Sequence, residues 1–126
     1  MKAAIFDSVG RPLRLDEVAR PEPGPRDVII QVAYCGICGS DLHATQPGDL
    51  VAPSGTILGH EFAGTIADLG PAAAGAYAVG DRVTAVPIKA CAACDGECRL
   101  RMGIHCPNNT IIGFAPEAQG AYAAYV

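Results

Sequence analysis

Val28-Ile29-Ile30-Gln31-Val32-Ala33-Tyr34, running on into Cys35-Gly36-Ile37-Cys38-Gly39-Ser40-Asp41-Leu42-His43, holds both the fold and the chemistry of this chain. Its first half is rich in β-branched and aromatic residues and follows a Pro23-Gly24-Pro25 turn, so residues 27–34 predict a strand. That strand delivers the chain to Cys35 and then to a thiol, a hydroxyl, a carboxylate and an imidazole spaced closely at Cys38, Ser40, Asp41 and His43. Further on stands Gly59-His60-Glu61. A thiolate from Cys38 and a neutral imidazole from His60 make half of the tetrahedral shell that zinc prefers, and the other positions fall to water, substrate or a residue elsewhere. An open shell points to chemistry rather than to stability alone.

The rest of the chain is cut into short pieces. The 15 glycines and 10 prolines among 126 residues argue against long helices. Residues 2–6 and 13–18 read as a hairpin around Gly10-Arg11-Pro12, and residues 62–69 and 82–86 as further strands bounded by Gly-containing turns. Gly80-Asp81 is a turn dipeptide, which gives Asp81 a structural role. Residues 121–126 predict a last strand, and several short strands at irregular spacing predict a β-barrel or sandwich. Two stretches differ: residues 44–56 form a polar Pro- and Gly-rich loop, able to shape a cleft or merely to connect, and the Ala-rich residues 71–79 predict an exposed turn.

Composition narrows the function. A hydrophobic content of 50% fits one globular domain, and a formal net charge of −4 with scattered Lys and Arg gives no attraction for nucleic acid. The start, Met1-Lys2-Ala3-Ala4-Ile5-Phe6-Asp7, lacks the apolar core of a signal peptide, and no stretch approaches membrane-spanning length. The expectation is a cytoplasmic protein without a membrane partner. In that compartment six cysteines read as reduced thiols serving a metal, with disulfides the competing account.

A helical turn over the first constellation would put Cys38 and Asp41 on one face and Ser40 and His43 on another. Asp41 can then accept a hydrogen bond from the second ring nitrogen of His60 and hold its tautomer, while Glu61 adds a carboxylate beside the histidine. Cys35, at the strand end, is read as a small core residue; a redox pair or a zinc knuckle with Cys38 are the other readings of that CxxC. Downstream, Cys91, Cys94, Cys98 and Cys106 bring four thiolates together and predict a closed, structural zinc site that orders a loop poor in apolar residues. A disulfide-bonded loop and a nucleic-acid zinc ribbon compete with it, and His105 is read as an exposed neighbour.

Taken in order, Cys38-Gly39-Ser40-Asp41-Leu42-His43, Ile57-Leu58-Gly59-His60-Glu61-Phe62-Ala63-Gly64, Val79-Gly80-Asp81-Arg82-Val83, the four-cysteine lobe and Gly120-Ala121-Tyr122-Ala123-Ala124-Tyr125-Val126 resemble the zinc-dependent medium-chain alcohol dehydrogenases, specifically their N-terminal GroES-like domain. The resemblance runs nearly end to end. It implies a mainly β fold over residues 1–126, a GroES-like antiparallel β-barrel with short helices and a zinc-binding loop lobe. It also implies Cys38 and His60 as catalytic zinc ligands with Glu61 as the adjacent acid; the Cys2His set is the family's known one, not a deduction from spacing. By the same resemblance zinc activates an alcohol for hydride transfer to NAD or NADP. Ser40 takes the alcohol proton and passes it through the cofactor ribose and His43 toward solvent.

Two departures from the family pattern stand out. Three residues, Asp95-Gly96-Glu97, separate Cys94 from Cys98 where the family has two, a difference that Gly96 can absorb. The family's third catalytic ligand and its Rossmann domain would lie beyond Val126, and no GxGxxG follows a strand here. The expectation is therefore the catalytic domain of an NAD(P)-dependent alcohol or polyol dehydrogenase, inactive alone, whose partners are a small alcohol and a Rossmann domain. The alternative is a free-standing GroES-like zinc-binding interaction domain. A homo-oligomer is open to it, because apolar surface facing an absent domain would be exposed.

Overall fold

The computed structural model describes residues 1–89, 106 and 108–126. Among the described residues eight strands and one helix follow in chain order: β1 (Lys2–Phe6), β2 (Arg14–Glu17), β3 (Val28–Cys35), α1 (Gly39–Ala44), β4 (Thr56–Ile57), β5 (Phe62–Leu69), β6 (Arg82–Thr84), β7 (Ile88–Lys89) and β8 (Thr110–Ile111). They pair antiparallel into three small sheets, β2-β1-β4, β3-β5-β6 and β7-β8. The expected strands at 2–6, 27–34 and 62–69 are present almost to the residue. The others are shorter than expected: 13–18 contracts to Arg14–Glu17 and 82–86 to Arg82–Thr84.

Burial follows the apolar residues. Ala3, Ile5 and Ile57 pack together where β1 meets β4, and Phe6 and Leu58 join Ala44 and Ala52 beside them. Ala52 is buried and its N–H donates to the Ala44 carbonyl at 3.0 Å, so the 44–56 loop is anchored to the helix end and is more than a surface connection. On the second sheet Ile30 and Phe62 pack with Ala121. Within 71–79 most residues are exposed, as expected, but Ala73 is buried.

Residues 121–126 correct the sequence reading. They form no continuous strand but isolated bridges, Ala3 with Ala123 and Gln31 with Tyr125. The reason is that this segment serves two sheets at once. The Ala4 N–H donates to the Tyr122 carbonyl at 2.8 Å on the first sheet, while the Val32 and Ile30 N–H groups donate to Ala124 and Val126 carbonyls at 3.0 and 2.7 Å on the second. Where it begins, Gly120, Ala121 and Tyr122 donate backbone N–H bonds to the carbonyls of Ile57, Gly59 and Leu58. The C-terminal segment thus fastens the approach to His60 onto both sheets. Among the described residues no helix is long and apolar enough to cross a membrane.

Candidate metal centre

Strand β3 ends at Cys35, strand β5 begins at Phe62, and these two residues are paired in the sheet. The pairing brings the two sequence motifs together. The Gly36 N–H donates to the Glu61 carbonyl at 2.7 Å, which closes the loop carrying Cys38 against the segment carrying His60 and Glu61. As a result Cys38 Sγ, a His60 ring nitrogen and a Glu61 carboxylate oxygen all lie within 4.8 Å of one another. Donors bound tetrahedrally at 2.0–2.3 Å stand roughly 3.3–3.8 Å apart, so this sulfur, nitrogen and oxygen set matches zinc with about an ångström of contraction. A cavity of ≈ 570 Å³ opens beside it, lined by Tyr34, Gly36, His60, Glu61, Thr84 and Pro87 among others. A larger groove of ≈ 970 Å³, lined by Val18, Ile29, Ile57 and Tyr125 among others, contains none of these donors.

Cys38 is not inside the helix, as a helical turn over 38–43 would require, but is its N-cap in extended backbone (φ −84°, ψ 154°). Asp41 reaches back from the first turn, and its Oδ2 accepts the Cys38 N–H at 2.9 Å. Helix α1 therefore starts on a bond that also fixes the thiol's backbone. Asp41 is only 3% exposed, and a carboxylate that deep needs donors. It has the Cys38 N–H, the Gly59 N–H on Oδ1 at 3.4 Å and the Tyr122 hydroxyl on Oδ2 at 2.9 Å.

His60 faces the same carboxylate. Its Nδ1 stands 3.5 Å from Asp41 Oδ1 and, although buried, makes no hydrogen bond. Its Nε2 lies 3.3 Å from Ser40 Oγ, and its ring is tilted at 53° against Phe114 with 5.1 Å between centroids. Ser40, Asp41 and Glu61 thus gather around Cys38 and His60, whereas His43 is exposed and, among the described residues, takes no part in the hydrogen bonds of the centre. Cys35 is half-buried and packs against the core of Ile30, Phe62 and Ala121, in keeping with its reading as a small core residue. Its Sγ accepts the Glu61 N–H, and burial pushes its thiol pKa up despite that bond. Cys91, Cys94 and Cys98 lie outside the described residues; Cys106 is buried.

Tyr122 is the residue that sequence reasoning missed as a member of the site. It belongs to a recognised motif, but its hydroxyl meets Asp41 from 81 positions away, and nothing local signals that contact. Burial, then the hydrogen bond to Asp41, raise its pKa far above the usual value of 10.0. The sign of the consequence is fixed. Below pH 10 the phenol is protonated in both folded and unfolded chains; above it the unfolded chain ionises while the folded one holds its proton, so stability falls as pH rises. The urea midpoint of the metal-free chain is expected to drop above that pH, with a shallower drop in Tyr122→Phe.

A family model of the alcohol dehydrogenase GroES-like domain matches residues 24–126. The L-threonine 3-dehydrogenase of Xanthomonas campestris pv. campestris (strain B100) is 36% identical over 129 aligned positions, which take in 100% of this chain and 37% of that protein. Among solved structures, a cobalt- and zinc-bound thermostable alcohol dehydrogenase from Pyrobaculum aerophilum superposes with a TM-score of 0.82 at 33% identity, covering 100% of this chain and 38% of that one. A Sinorhizobium meliloti 1021 protein classed as a zinc-binding dehydrogenase and bound to NADP gives 0.81 at 36% identity, covering 99% of this chain and 35% of that one. The chain thus spans little more than a third of the length of the relatives it matches. Its fold, its motif order and these likenesses agree, and the chain belongs to the alcohol dehydrogenase GroES-like domain family.

Proposed function

We propose that this chain is the metal-holding catalytic domain of a zinc-dependent, NAD(P)-linked dehydrogenase acting on a small alcohol or polyol. The observation that carries the proposal is the convergence of Cys38, His60 and Glu61 donor atoms within 4.8 Å. L-Threonine is the first substrate to try, since it is named for relatives that align with the whole of this chain. On this reading Cys38 and His60 hold the metal, Glu61 supplies a further oxygen, and Cys91, Cys94, Cys98 and Cys106 form a separate structural site. The remaining catalytic domain contacts, the cofactor fold included, come from sequence matching the rest of the relatives.

Zinc bound in such a set supplies Lewis acidity to an alcohol oxygen. The chain's own residues do the rest. Asp41, anchored by three donors, faces His60 Nδ1, favouring a proton there and leaving Nε2 as the metal-facing nitrogen. Ser40 Oγ, near Nε2, is placed to accept a proton from the alcohol and donate one onward. His43 follows at i+3 on the same helix and is exposed, so it can exchange that proton with water.

The test is hydride transfer by the gene product that carries this chain. NADH or NADPH formation is followed over a panel of alcohols that includes L-threonine, with zinc content measured in parallel. Alcohol-dependent reduction that disappears on chelation supports the proposal. Zinc at full occupancy with no reduction of either nucleotide by any alcohol would instead favour a GroES-like zinc-binding interaction domain. A further expected result concerns Asp41→Ala. It leaves the Cys38 N–H and the Gly59 N–H facing no acceptor and the Tyr122 hydroxyl with only the Gly36 carbonyl at 3.3 Å, which costs about 3 kcal/mol in urea unfolding.

A further inference from the structure

We propose that Tyr122 is a positioning residue for the metal centre, its hydroxyl locking the Asp41 carboxylate so that Oδ1 stays aimed at His60 while the loop bearing Cys38 is held in place. The inference rests on the reading of Cys38, His60 and Glu61 as metal donors and goes beyond it by assigning work to a residue that touches none of the reacting atoms.

A carboxylate turns about the bond that carries it unless its oxygens are separately engaged. Asp41 Oδ2 is engaged twice, by the Cys38 N–H at 2.9 Å and by the Tyr122 hydroxyl at 2.9 Å. Oδ1 is left with a long bond from the Gly59 N–H at 3.4 Å and with His60 Nδ1 at 3.5 Å. That Nδ1 is buried and without a hydrogen-bond partner, so the geometry reserves one oxygen for it. The Tyr122 oxygen also lies 3.3 Å from the Gly36 carbonyl, at the start of the loop that presents Cys38. One phenol oxygen therefore spans the helix turn and the loop on either side of the thiol.

The ring is placed independently of its hydroxyl. The Tyr122 N–H donates to the Leu58 carbonyl at 2.9 Å and its carbonyl accepts the Ala4 N–H at 2.8 Å. The ring edge also lies so close to Gly59 that a Cβ there would stand 2.6 Å from Cδ1. Phenylalanine would keep all of this and lose only the oxygen. The packing role and the positioning role are consequently separable by a single atom.

The experiment uses Co²⁺ as the probe, with zinc filling the four-cysteine lobe first. The Cys38-dependent part of the thiolate-to-cobalt absorption is isolated by difference from Cys38→Ser. Tyr122→Phe is expected to bind Co²⁺ at the centre about tenfold more weakly, with a changed absorption band, as loss of a partner beyond the ligands does. Gln119→Ala is the control. It removes bonds to Ile57 N–H and to the Gly55 and Pro116 carbonyls in the same segment, and is expected to lower the thermal midpoint without moving cobalt affinity. Tyr122→Phe added to Asp41→Asn is expected to cause little further loss, because Asp41→Asn already takes from His60 Nδ1 the oxygen whose aim the Tyr122 hydroxyl fixes.

Unchanged affinity and spectrum in Tyr122→Phe would overturn the inference. So would equal weakening in Gln119→Ala, or an undiminished tenfold loss on the Asp41→Asn background. A Cys38→Ser chain that takes up cobalt like the parent would sink the metal-donor reading itself, which tells the two failures apart.

Discussion

Cys38→Ser is expected to lose one equivalent of metal and with it the alcohol-dependent reduction of NAD(P), while the metal-free chain unfolds as the parent does. The serine hydroxyl stays protonated at neutral pH and is a poor zinc ligand, so the remaining His60 and Glu61 are left with an incomplete donor set. Affinity at the centre should fall by at least about 100-fold, more than the loss of a supporting residue produces. Activity should fall by about 10³-fold, since the metal contributes several kcal/mol to the reaction barrier. Stability should hold, because the structural duty of Cys38 is borne by its backbone N–H, which donates to Asp41 and survives the substitution. Elemental analysis and urea unfolding of chelated samples check both halves. Cys35→Ser is the matching control and should retain both metal equivalents, its sulfur being directed to the Glu61 N–H and the Gly36 carbonyl. Full metal content in Cys38→Ser would refute the assignment.

That prediction draws on residues whose meaning is local. Cys38 and His60 stand inside short motifs, and the strands that flank them, residues 28–35 and 62–69, carry their β-branched residues in plain view. Asp41 was legible as the partner of His60, but its cap on α1 was not, because a helical turn drawn from Cys38 puts that residue inside the helix and not at its N-cap. What could not be read was where distant segments meet. Tyr122 looks like one more apolar member of a last strand until the sheet-to-sheet path of residues 121–126 carries its hydroxyl to Asp41. The same path explains why that segment resists description as a strand: its backbone groups are divided between Ala4 on one sheet and Ile30 and Val32 on the other. Period-2 patterning reports that a residue faces a core, not which of two sheets supplies the partner. Cys35 was legible from its place at the end of β3, since from there it packs against the core of Ile30, Phe62 and Ala121.

Gly64→Ala is expected to destabilise the chain by about 3 kcal/mol, and the cause is close approach, not backbone freedom. Gly64 is buried in β5, the central strand of its sheet, with Val32 on one side and Val83 on the other. A Cβ there would overlap the Gln31 carbonyl oxygen and stand 2.7 Å from Ile30 Cγ2. Neither neighbour can yield cheaply, since one is backbone within the ladder and the other belongs to the core packed on Phe62. Gly80 separates this effect from conformational strain. It has a φ of +98° but open space where a Cβ would go, so Gly80→Ala should cost only about 1 kcal/mol. The site should register the difference as well. Parting β3 from β5 loosens the Cys35–Phe62 pair that brings the Cys38 loop against His60, so Gly64→Ala should weaken metal binding and Gly80→Ala should not. Equal urea midpoints for the two variants would mean that the β3–β5 contact is not what holds the halves of the metal centre together.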